Sequence, residues 1–93
     1  MKARNATEAK KLEDIPNIGK RVAEDLRRIG ITEPKQLAKK NPMRLYDAIC
    51  KDAGAPVDPC MIDVMMAAVD FMNGAPAAPW WAYTPKRKKL LAP

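Results

Sequence analysis

Residues 15–31 read IPNIGKRVAEDLRRIGI, and the chemistry these residue types suit is the capture of a phosphate. Pro16-Asn17-Ile18-Gly19 makes a turn, because glycine takes positive φ without steric cost and asparagine tolerates it better than most residues. A helix that starts there opens with amide N–H groups lacking an intrahelical acceptor, and the positive end of its dipole lies behind them. The backbone of Ile18, Gly19, Lys20 and Arg21 is the candidate grip, and the Lys20 and Arg21 side chains add charge. Lys10, Lys11, Lys39 and Lys40 are outer candidates. The competing reading of Gly19 is a residue that only permits the turn.

Other chemistries are limited by composition. The chain has neither histidine nor serine, so a Ser-His-Asp triad, a Cys-His pair or a His-ligated metal site cannot be built. Cys50 and Cys60 are too few for a four-cysteine zinc site or a disulfide scaffold, and a lone thiol without a basic partner is a poor nucleophile at neutral pH. Reduced, buried thiols are expected, with a Cys50–Cys60 redox pair as the alternative. We therefore expect a protein that is not an enzyme and uses no cofactor or metal. The polar start MKARNATEAKKLED lacks a signal peptide's apolar run, and no stretch approaches the length of a membrane span. A reducing bacterial cytoplasm and no membrane partner are the expectation.

The net charge of +6 is unevenly placed. Residues 1–12 carry +3 and residues 85–93 carry +4, whereas 13–84 sum to −1. Within that middle, residues 15–44 hold +5 and 45–84 hold −4, with Glu13 and Asp14 making up the remaining −2. The basic side is thus grouped around the turn, as an electrostatic footprint for a polyanion would be, though a solvated surface has the same pattern.

Ninety-three residues suffice for one core, and the elements that must position the turn are helical. Thr7 is expected to cap a helix over 7–14 that turns Leu12 and Ile15 inward. Val22, Ala23, Leu26 and Ile29 predict a helix over 19–29, ended by Gly30. Thr32 and Pro34 start a short third helix, and Asn41-Pro42 opens a fourth that Gly54 stops. Asp58-Pro59 launches the longest, 59–73, which is apolar nearly all round, with Asp63, Ala67 and Asp70 as its one wet stripe. Its methionines 61, 65, 66 and 72 suit core filling, or else an adaptable partner groove. A helical domain over 1–74 is followed by a Pro/Trp-rich covering segment and basic tail over 75–93. There Trp80, Trp81 and Tyr83 either fold back to bury area or stack bases while Lys86, Arg87, Lys88 and Lys89 meet phosphate.

LEDIPNIGKRVAEDLRRIGI resembles the helix-hairpin-helix element, with Pro16, Ile18, Gly19, Arg21, Ala23 and Leu26 standing where that pattern wants them. Asn17 stands where the pattern usually has its first glycine, so its side chain either limits backbone approach or supplies an amide hydrogen bond instead. Over roughly residues 10–87, LAKKNPMRLYDAICKDAGAPVDPCMIDVMMAAVDF and PWWAYTP included, the chain is similar to small bacterial proteins of the pathogenicity-locus or mitomycin-resistance-like family. That resemblance implies an all-α, five-helix SAM-like domain, similar also to the carboxy-terminal domain of TfoX-type competence regulators, and a DNA-binding role. The expected activity is largely sequence-independent binding of duplex or single-stranded DNA, because backbone contacts position a protein without reading bases. The alternative is a SAM-like protein interaction module that docks a partner through its acidic second half or Met-rich helix. The residues leave the oligomeric state open.

Overall fold

The apolar spacing after Gly19 is realised as helix α1 (Lys20–Arg28), in which Ala23 and Leu26 are wholly buried. The computed structural model describes residues 2–92. Three further α-helices follow, α2 (Pro42–Ala53), α3 (Cys60–Met72) and α4 (Thr84–Leu91), and among the described residues there is no strand. Short 3₁₀ turns occupy Ala6–Glu8, Leu12–Asp14, Pro34–Leu37 and Trp80–Tyr83. The protein is all-α.

The helix count differs from expectation at three places, each for a local reason. Residues 7–14 do not form a helix, because the Asp14 carboxylate accepts the amides of Lys10 and Lys11 at 3.0 and 3.1 Å and so offers this backbone another partner. Asn5, not Thr7, caps the 3₁₀ turn Ala6–Glu8. The segment after Thr32 is likewise a single turn, its start held by Gln36 Oε1, which accepts from Thr32 N–H at 2.7 Å and Glu33 N–H at 2.8 Å. The basic tail, by contrast, is helical as α4: Pro85 suits a first turn, and the lysines, arginine and leucines after it are good helix formers.

The start and stop signals of α2 and α3 act as their residue types predict. Asn41 Oδ1 accepts from Met43 N–H at 2.9 Å ahead of Pro42, and Gly54 ends α2 at φ +71°. Asp58 Oδ1 accepts from Cys60 N–H at 2.9 Å at the mouth of α3. Helix α3 is the centre of the core, with Ile62, Met65, Ala68 and Phe71 among its buried residues.

The expected wet stripe of α3 is covered. Asp63 is fully buried, Ala67 nearly so and Asp70 half-buried, because the chain after Gly74 folds back over them. The turn Trp80–Tyr83 packs on α3, and Tyr83 Oη donates to Asp70 Oδ2 at 2.9 Å. Thr84 Oγ1 then donates to Asp63 Oδ2 at 2.6 Å and Arg87 Nε to Asp63 Oδ1 at 2.7 Å. The buried carboxylate is satisfied on both oxygens by the segment that buries it. The radius of gyration, 12.3 Å, is that of a close-packed domain of this length.

Candidate nucleic-acid interface

The turn ahead of α1 is anchored from below by Leu12, Ile15 and Ile18, all wholly buried. Their burial sets its upper side. Ile18 N–H closes the turn on Ile15 O at 3.1 Å, so its amide is already used, and the sequence-based assignment of that amide to a phosphate does not hold. The first helical bond runs from Ala23 N–H to Gly19 O at 3.0 Å. The amides of Gly19, Lys20, Arg21 and Val22 consequently have no acceptor among the described residues, and Gly19, Lys20 and Arg21 are exposed. Val22 takes the place in the amide set that the sequence assigned to Ile18.

Positive φ is carried by Asn17, at +73°, while Gly19 is extended at φ −94° and ψ −174°. Gly19 is therefore not needed for backbone conformation. A Cβ built on it would meet nothing within 4 Å, so packing does not require a glycine there either. Both ends of the Asn17 side chain are engaged by the tail: Nδ2 donates to Ala78 O at 2.8 Å and Oδ1 accepts from Trp80 N–H at 3.2 Å.

The carbonyl side of the turn carries an ammonium group that the sequence pattern did not reveal. Lys2 Nζ donates to Glu13 O at 2.6 Å and also to Ile18 O. Ala3 N–H bonds Asp14 O at 2.7 Å and stitches the amino-terminal segment alongside. Lys2, Lys11 and Lys20, with Glu13, Asp14, Ile18 and Gly19, line one open hollow of about 380 Å³. No local signal marks Lys2, since its contacts reach across 11 and 16 positions of chain.

The cations of α1 divide sharply. Arg27 makes a two-pronged contact with Glu13 at 2.9 and 2.7 Å, and that guanidinium draws the Glu13 carboxyl down to about 2. Arg28 is held by Asp52 at 2.7 Å and by Asp25. Lys20 and Arg21, at the other end, make no ion pair among the described residues. Arg21 lies on the flank, in a hollow shared with Val22, Glu24 and Asp25.

Of the outer candidates, the structure brings only Lys11 to the hollow of the turn. Lys10 lines a separate hollow with Glu33 and Lys35, and Lys39 and Lys40 another with Arg44. Lys39 takes φ +63°, and its N–H bonds Asn73 Oδ1 at 3.0 Å, a role in chain geometry.

The tail returns to the body but does not hide its indoles. Trp80 is 36% exposed and Trp81 63%. The methionines resolve the other way: Met65 and Met66 are buried, and Met61 and Met72 are partly buried against the core, as core filling requires. Cys50 and Cys60 are free and half-buried. A hydrogen bond with Asp58, then burial, pushes the Cys60 thiol up, away from the reactive thiolate. No helix among the described residues is long and apolar enough to cross a membrane.

Residues 5–89 match the family model described as Cdd1, pathogenicity locus. The chain is 48% identical over 81 residues to a mitomycin resistance protein, McrB, of Streptomyces lavendulae, covering 87% of this chain and 77% of that protein. No solved structure matches it. With a family model spanning nearly its whole length and a relative this similar, the chain belongs to the pathogenicity-locus family.

Proposed function

We propose that this chain is a non-catalytic, largely sequence-independent DNA-binding domain, and that residues 12–28 act as a helix-hairpin-helix grip on the phosphate backbone. The observation that carries the reading is the run of unpaired, exposed amides at Gly19, Lys20 and Arg21, with Lys20 and Arg21 free of acid partners while Arg27 and Arg28 are tied down. A phosphate oxygen approaching Gly19 meets amide donors, the positive end of α1 and the ammonium groups of Lys2, Lys11 and Lys20. Such contacts hold a polyanion without identifying bases. Resistance to mitomycin, the trait that names the Streptomyces lavendulae relative, is proposed for this chain as a phenotype to test.

The test is a titration of fluorescent duplex and single-stranded DNA at two salt concentrations, comparing wild type with Lys20→Ala/Arg21→Ala. Two to four engaged phosphates give a slope of log affinity against log salt of about −2 to −4 on duplex, and removing two cations makes it shallower by about 2. Equal binding by a folded double variant would move the site to the basic termini. An absence of wild-type binding at low salt would leave a protein interaction module as the better reading.

A further inference from the structure

We infer that Trp81, flanked by Trp80, is a stacking platform for unpaired bases, so that the preferred ligand is DNA in which a single-stranded segment adjoins the phosphates held at Gly19. This rests on the DNA-binding reading and specifies the ligand class of that same site.

The first support is the contrast between how firmly the turn Trp80–Tyr83 is held and how little of its indoles is covered. Tyr83 is tied to Asp70, Thr84 and Arg87 to the buried Asp63, and the Trp80 amide to Asn17. Every other aromatic ring is at least partly covered: Phe71 is buried, and Tyr46 and Tyr83 are half-buried with their hydroxyls bonded. Trp81 nevertheless stands 63% exposed on this rigid support, and neither indole N–H has a partner among the described residues. An indole fixed in water forgoes the burial that large aromatics normally supply, and a flat ring on a rigid mount is what a base needs in order to stack.

Position is the second support. Asn17 holds the backbone of Trp80 at 3.2 Å, and Gly19 lies two residues further on, at most ~7.6 Å between Cα atoms. The backbone that carries the two indoles is therefore fastened to the turn that carries the free amides. Charge complementarity selects a nucleic acid over an apolar partner: Lys86, Lys88 and Lys89 on α4 make no ion pair among the described residues, as with Lys20 and Arg21 at the turn. Cations beside exposed rings form the pattern of single-strand binding, in which phosphates meet charge and bases meet π-faces.

The experiment compares three DNA ligands at one salt concentration: a blunt duplex, the same duplex with a short single-stranded overhang, and that overhang made abasic. Wild type should bind the overhang form roughly tenfold more tightly than the blunt duplex, with quenching of tryptophan fluorescence, and the abasic overhang should behave like the blunt duplex. Trp81→Ala should lose the preference while holding blunt-duplex affinity within about twofold, and Trp81→Phe should recover part of it. A thermal melt shows that each variant is folded. Equal binding of blunt and overhang forms by wild type, or an undiminished preference in Trp81→Ala, overturns the stacking role and leaves the phosphate grip standing. Binding of none of the three ligands overturns both.

Discussion

Asp63, wholly buried on α3, and Arg87 on α4 form an ion pair at 2.7 Å that closes the carboxy-terminal segment over the core. Thr84 fills the second carboxylate oxygen, so the pair is satisfied as well as buried. Removing one partner leaves the other as an uncompensated charge in a dry site. Arg87→Ala or Asp63→Ala should each lower stability by about 3–5 kcal/mol in chemical denaturation, and the double variant should lose less than the sum. Proteolysis of Arg87→Ala should begin between Gly74 and Thr84, because that is the stretch the pair holds down.

Asn17 performs two tasks that separate by mutation. It accepts positive φ at the turn, and its amide joins the turn to Ala78 and Trp80. Asn17→Gly keeps the conformation and loses two hydrogen bonds, about 1–2 kcal/mol; Asn17→Ala adds the strain of a Cβ in the left-handed region and should cost more. Thermal melts should rank wild type above Asn17→Gly and Asn17→Gly above Asn17→Ala.

Gly19 separates folding from binding. Its backbone is extended and a Cβ meets open space, so Gly19→Ala should fold with a stability change of less than about 1 kcal/mol. That methyl group would add bulk beside the free amides of residues 19 and 20, so DNA affinity should fall while the melt stays in place. Unchanged affinity would mean that Gly19 only starts the helix.

Glu13 makes the turn acid-sensitive in one direction. Its folded value, about 2, lies below the ordinary glutamate value of 4.5, chiefly because Arg27 bonds the charged form. Stability from this contact is fully present above pH 4.5 and is lost as pH falls toward 2. Asp14, depressed by the Lys10 and Lys11 amides, acts in the same sense. Glu13→Gln should melt below wild type at pH 6, with the gap closing by pH 2, as circular dichroism would show.

Part of this architecture was legible before any coordinates. Local signals located α1, α2 and α3 to within a residue or two, because period, caps and stop glycines act within one turn of chain. Asn41, Gly54 and Asp58 did what their types predict. The same locality explains the misses. Asp14 and Gln36 redirect nearby amides, so two expected helices shrink to 3₁₀ turns, and α4 forms within the segment expected only as a covering stretch and basic tail.

By itself the sequence determined an all-helical chain, the turn at 16–19 and the clustering of cations around it, since these depend on residue type and near neighbours. Tertiary structure alone decided which of those features are free to act. Lys2 reached the carbonyls of the turn, Asn17 was taken by the tail, Arg27 was neutralised by Glu13, and Asp63 passed from an expected wet face to the core. Each of these contacts joins residues 11 or more positions apart, and burial together with hydrogen-bond completion, rather than local propensity, settles such pairings.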